Sequence, residues 1–425
     1  MQIVAGFVFL FSCMALNAQP KMEKMLTDTA PGGHFLEGIM QQHPQYFTDI
    51  LKNRKAWNVQ VIYTRINRGA DGKPLLQQYD FNVNPSRYFY PASTVKLPIV
   101  LLALQRLNEL KGTGIDRNTT MITEKALDWQ TAVYNDPTTP DGKPTIANYI
   151  KKILMVSDND AFNRLYEFLG QKYINEQLEK KGYKSAQILH HLDVFYTEDQ
   201  NRQTNPIRFL GNNNKPVYEQ PGQINNTKYA LRNDSLGQAY YSGNKLVTRP
   251  MNFAKKNRIS LQDLNNILVN FVFPENANPR QRFNLTEEDK QFVLKYMSQY
   301  PTESVWPPYA YDTANYWPAY GKQILFGTTR GPLPENIRIF NKEGDAYGHL
   351  LDVAYIVDFK NKIEFFLSAV IYCNSDGILN DDKYDYATIG LPFMQHLGQV
   401  IYDYELKRER NNKPDLTPFI FKYDK

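Results

Sequence analysis

The chain has 425 residues, of which 42% are hydrophobic, 22% charged and 13% aromatic, enough length and apolar content for a large core or two lobes and too much for a disordered chain. Its net charge of +5 is diluted over that length, with lysines and arginines interspersed among acids, which excludes on composition a nucleic-acid or polybasic membrane function. Cys13 and Cys373 alone cannot build a disulfide framework or a cysteine metal site, and the six histidines lack ligand spacing, so neither metal nor cofactor is expected.

Residues 2–16 are apolar and lead to the small residue Ala18, the pattern of a secretory signal covering 1–18 and leaving a periplasmic or secreted protein from 19 to 425. No lysine or arginine precedes the run, and Leu10-Phe-Ser-Cys13 offers the competing reading of a lipoprotein acylated at Cys13. The run is too short to span a bilayer, and no later stretch is apolar for long enough.

Residues 35–51 carry a helical pattern, and alternation predicts strands at 59–66 and 75–81. From 121 to 182 the periodicity reads as helical throughout, with clear helices at 146–156 and 161–169. Strands return at 337–340, 350–359 and 363–372, and an apolar helix at 387–406 closes the chain. Strands from both chain ends around a helical middle predict an α+β fold: one antiparallel sheet with flanking helices, interrupted by a helical lobe over about 110–335. The cleft between the two is the natural place for a site. Residues 210–253, rich in Asn, Gly and Tyr, read as a surface insertion whose tyrosines are candidates to line a groove.

Ser93 and Lys96 stand three residues apart at the start of an apolar run over 95–110, in which Leu97, Val100, Leu101, Leu104 and Leu107 recur at helical spacing. A serine hydroxyl is a poor nucleophile at neutral pH, and an amine one turn away is a proton acceptor within reach. Taken alone the pair reads equally as a helix-start serine and a solvated lysine. A second Ser-x-x-Lys, Ser242 to Lys245, lies in a polar stretch without helical period and reads as accidental. Ser157-Asp158-Asn159 follows one apolar helix and precedes another: Ser157 can relay a proton, and the Asn159 amide can bind a carbonyl and Lys96. Lys342-Glu343-Gly344 follows a short strand, presenting a positive charge and a glycine that permits close backbone approach.

In this order the three elements resemble the penicillin-recognising serine acyl-transferases, most closely the class A β-lactamase family, whose signatures are Ser-x-x-Lys, Ser-Asp-Asn and Lys-Thr-Gly. The resemblance covers about 35–406 and includes Val156-Ser-Asp-Asn-Asp-Ala-Phe-Asn163 and Gly344-Asp-Ala-Tyr-Gly348. It implies Ser93 as nucleophile, Lys96 as its base, Ser157 as proton relay, Asn159 as substrate ligand, Lys342 as electrostatic anchor, and the backbone N–H groups of Ser93 and Asp345 as oxyanion hole. A free lysine titrates near ~10.4, so Lys96 must be depressed by burial and by Lys342 to serve. The implied substrate is a small molecule or a peptidoglycan-derived acyl donor, and the implied protein a monomer.

Two departures bear on activity. Family spacing from His191-Leu-Asp193 places Tyr196 where a deacylating glutamate belongs, and the nearest carboxylates are Glu198 and Asp199. Either Glu198 serves from a rearranged loop, or release is slow and the protein acts as a penicillin-binding peptidase or covalent trap. Glu343 replaces the hydroxyl residue of Lys-Thr-Gly, which leaves room for an ester or amide substrate. The expected function is β-lactam hydrolysis, with a D-alanyl-D-alanine carboxypeptidase or other amide or ester hydrolase as the alternative, and a non-catalytic envelope-binding module as the rival outside the enzymes.

Overall fold

A computed structural model describes residues 34–424; both N-terminal readings, the signal and Cys13, lie outside the described residues. The first helical stretch is two helices, α1 (His34–Gln41) and α2 (Pro44–Lys52). Pro44 disfavours helical dihedrals at His43, which sits at φ −124°, ψ 60° and breaks the run.

The strands β1 (Gln60–Arg68), β2 (Pro74–Phe81), β3 (Ile337–Ala346), β4 (His349–Asp358) and β5 (Ile363–Tyr372) form one antiparallel sheet in the order β3-β4-β5-β1-β2. Both ends of the chain meet where β1 pairs with β5, Gln60 opposite Val370 and Arg65 opposite Phe365. Every residue of β4 is buried, because both faces of the sheet are covered. Leu351, Val353, Tyr355 and Val357 face the helical lobe, while Leu350, Ala354 and Ile356 face α1, α2 and the C-terminal helix.

Between β2 and β3 lie α3 (Lys96–Glu109), α4 (Ile146–Val156), α5 (Asn159–Leu169) and α6 (Leu261–Val272); after β5 comes α7 (Leu391–Lys407). Leu97 and Ile99 through Leu104 of α3 are all buried, as befits a helix that is apolar all round. Each such leucine or isoleucine contributes roughly 1.5–3 kcal/mol of transfer energy, which fixes the start of α3 within the core. Thr145 caps α4 by accepting from the Asn148 N–H at 3.0 Å, and Asp158 caps α5 by accepting from Ala161 at 2.7 Å.

Two expectations change, and the insertion acquires a place. The block 121–182 is not helical throughout: Thr120–Thr123 is a strand paired with Ile207–Leu210, and Pro137, Pro140 and Gly142 keep the chain irregular up to α4. The strand expected at 337–340 runs on to Ala346, so Lys342, Glu343 and Gly344 lie within it, each in register with β4. Within 210–253, Ala239–Ser242 and Lys245–Val247 form a hairpin that pairs in parallel with Ile378–Leu379 beyond β5. Ser242 and Lys245 are partners across that hairpin, not neighbours on a helix. Among the described residues no helix is long and apolar enough to cross a membrane.

Candidate active site

Ser93 lies on a 3-10 turn, Ala92–Val95, that runs directly into α3 and sets Lys96 one turn on. Ala92 is held at φ +46°, and Ser157 at the end of α4 at φ +60°. Left-handed backbone at a non-glycine residue costs on the order of 1–3 kcal/mol and persists only where its surroundings impose it. Here it turns the Ser157 carbonyl and hydroxyl toward Lys96. The Lys96 Nζ contacts Ser93 Oγ at 2.9 Å, Asn159 Oδ1 at 2.6 Å, Ser157 Oγ at 3.2 Å and, most closely, the Ser157 carbonyl.

Those partners define the protonation that suits Lys96. It is fully buried, and burial first, then the nearby Lys342 charge, hold its pKa well below that of a free lysine. A neutral amine has two N–H groups and one lone pair. The Ser157 carbonyl and Asn159 Oδ1 can only accept, so they take the two N–H groups and leave the lone pair for the Ser93 hydroxyl. Ser93, like Ser157 and Asn159, is partly exposed, and it opens to the cleft.

From the sheet side, β3 brings Lys342, whose Nζ donates to Ser157 Oγ at 2.9 Å. Ser157 Oγ therefore stands between two buried lysines. Gly344 lies against the Ser93 turn so closely that a Cβ there would stand 2.6 Å from the Ser93 nitrogen and 3.0 Å from that of Thr94. As β3 is the sheet's edge strand, the backbone beside Gly344 has no second strand to pair with. Asp345, next along it, lines the cleft at its exposed rim.

Glu343 is buried and turned to Lys342, with Oε1 2.9 Å from Nζ. Burial pushes its carboxyl up, but Lys342 outweighs this and holds it below the usual carboxylate range. Strand alternation would send adjacent side chains to opposite faces, yet the tips of these two meet.

The structure thus brings Ser93, Lys96, Ser157, Asn159, Lys342, Gly344 and Asp345 together. It does not bring Glu198 to them. Glu198 opens the one-turn helix Glu198–Asn201, is half-exposed, and pairs with Arg202 at 3.1 Å and with Lys255. It lines a neighbouring cavity of about 750 Å³, which meets the Ser93 cleft at His190, Val194 and Lys256. The loop is fixed in that position. Asn163 binds both the N–H and the carbonyl of Leu192 at 2.9 Å, and the buried His191 ring donates from Nδ1 to Asn201 Oδ1 at 2.8 Å while Nε2 meets Glu167 at 2.5 Å. With both ring nitrogens engaged, His191 is no free base.

The cleft at Ser93 measures about 830 Å³. Its lining includes Tyr240 and Tyr241 from the insertion hairpin, whose tyrosines were the groove candidates of the sequence, together with Tyr90, Tyr347 and Tyr384. The richness of 210–253 in tyrosine was the available signal, but the pairing with Ile378–Leu379 that places them is long-range.

A family model describing the beta-lactamase enzyme family matches residues 44–404. No curated protein matches the chain in sequence. Among solved structures, similar ones include a β-lactamase from Sphaerobacter thermophilus (12% identity over 88% of this chain and 98% of that one, TM-score 0.46). Others are a class A β-lactamase from Clostridium kluyveri (14%, 85% and 98%, 0.47) and a β-lactamase from Xanthomonas campestris (13%, 87% and 96%, 0.46).

Proposed function

Because the chain belongs to the beta-lactamase enzyme family, we propose that it is an exported serine hydrolase that forms an acyl-enzyme at Ser93 on an amide or cyclic-amide bond, as in a β-lactam ring. The observation that carries the reading is the continuous chain Ser93 Oγ, Lys96 Nζ, Ser157 Oγ, Lys342 Nζ, with links of 2.9, 3.2 and 2.9 Å.

Lys96 takes the Ser93 proton as Oγ bonds to the acyl carbon, and the backbone N–H groups of Ser93 and Asp345 receive the oxyanion. As the tetrahedral centre collapses, the C–N bond breaks and the proton passes from Lys96 through Ser157 Oγ to the leaving nitrogen. Lys96 is neutral again. The Asn159 amide supports Lys96 and offers its N–H groups to the substrate carbonyl. Hydrolysis then adds water to the acyl carbon, breaks the ester C–O bond and returns a proton to Ser93.

A second reading concerns release. Glu198, the expected deacylating base, is committed to Arg202 and Lys255 beside another cavity, and His191 is committed to Glu167 and Asn201. That supports slow release, the behaviour of a penicillin-binding peptidase or covalent trap. Intact-mass measurement with a fluorophosphonate and with a β-lactam that carries no carboxylate tests both points. A single fluorophosphonate adduct, absent in S93A, is expected; folded protein that takes none overturns the enzyme reading. A β-lactam adduct that persists for hours fits slow release, and one that clears within seconds restores fast turnover.

A further inference from the structure

We infer that the Ser93 cleft takes acyl donors without a carboxylate beside the scissile bond, namely uncharged or cationic amides, esters or lactams. The inference rests on the acylation of Ser93 proposed above and adds the substrate class.

Lys342 is the buried cation best placed to receive an anion on the substrate, and it has no donor to spare. An ammonium has three N–H groups. Those of Lys342 are directed at Ser157 Oγ (2.9 Å), the Glu343 carbonyl (3.0 Å) and Glu343 Oε1 (2.9 Å). The charge of Lys342 is matched within the protein by the Glu343 carboxylate, itself buried and held anionic by that same lysine. A substrate carboxylate brought to Lys342 would meet a like charge and no free N–H, in a place where water cannot screen the repulsion.

The rest of the cleft points the same way. Asp193, Asp345 and Asp382 line it, against Lys256 as the one lysine or arginine among its described lining residues. The Lys256 ammonium is 5.7 Å over the Tyr347 ring. Where a hydroxyl residue followed Lys342, one of its N–H groups would be released and its charge unmatched. Glu343 therefore acts as a specificity residue through Lys342, and its own carboxylate stands in for the anion.

The test uses two thioesters of N-benzoylglycine that differ in the leaving group alone, thioglycolate with a free carboxylate and thioglycolamide without one. In either, the Ser93 Oγ–C bond forms, the C–S bond breaks and the serine proton ends on the thiol. The full chain is expected to be acylated by the amide at least tenfold faster, and E343Q and E343T, with unchanged melting temperatures, are expected to lose or invert that preference. Equal or faster acylation by the carboxylate in the full chain overturns the inference, as does an unchanged preference in whichever of the two variants folds. Fluorophosphonate labelling of the same samples separates the failures. Labelled Ser93 with the wrong preference sinks this inference alone, whereas unlabelled Ser93 sinks the acylation reading with it.

Discussion

Gly344 and Ser93 touch through their backbones: no side chain fits at position 344, because a Cβ there would stand 2.6 Å from the Ser93 nitrogen. The edge strand and the turn before α3 are thereby held at close backbone contact, the spacing on which the proposed oxyanion hole depends. G344A must push the two apart. Acylation is expected to fall about 10²–10³-fold, the cost of losing one oxyanion donor, with a smaller loss of melting temperature. Stopped-flow acylation beside thermal unfolding checks this; a variant that acylates at the wild-type rate would show that the contact has no part in the chemistry.

Lys96 gives a prediction with a sign in pH. Its folded pKa lies well below 10.5 because burial and Lys342 disfavour the cation. Between that depressed value and 10.5, the unfolded chain binds a proton that the folded chain does not, so Lys96 makes stability rise with pH across the window. K96M, close in shape and uncharged, is expected to remove that slope and to unfold at higher denaturant near neutrality. Acylation should increase as pH rises through the depressed pKa and fall about 10²–10⁴-fold in K96M. Urea titrations at several pH values read the first effect, and acylation rates read the second.

Ser157 joins Lys96 to Lys342 through its hydroxyl and contacts Lys96 again through its carbonyl. S157A keeps the carbonyl contact and loses the relay. The loss should therefore depend on the leaving group: large for an amide, whose nitrogen must be protonated, and small for a thioester, whose thiolate leaves unaided. Equal losses on both substrates would assign Ser157 to positioning.

Buried Glu167 and His191 hold the loop that ends the cleft. H191A removes one partner of the buried Glu167, whose Oε2 still accepts from the Asn205 N–H at 2.6 Å, and is expected to cost about 1–3 kcal/mol, read from urea unfolding. A loss under 1 kcal/mol would show that the amide contacts to the loop backbone suffice to hold it, among them those of Asn163 at Leu192 and of Asn257 at Leu189 and His190.

Ser93, Lys96, Ser157 and Asn159 were legible in the sequence because each depends on local spacing: one helical turn in the first pair, a junction between two apolar helices in the second. Strands gathered from both ends of the chain were legible from alternation and from the buried run of β5. Glu343 was not, since strand periodicity alone cannot say that two long adjacent side chains meet at their tips. Glu198 was placed by counting along a loop, and the loop is instead fixed by amide contacts from Asn163 and Asn257 that lie far off in sequence. The hairpin that walls the cleft with Tyr240 and Tyr241 depends in the same way on a pairing across more than a hundred residues of chain.

The central claim is that Ser93 is a nucleophile because Lys96 receives its proton. Peptide mapping of fluorophosphonate-labelled protein, timed for the wild type and K96A together, tests it most directly. The account predicts a label confined to the peptide that contains Ser93, formed at least a hundredfold more slowly in K96A. A label on another residue, or an equal rate in K96A, would contradict it.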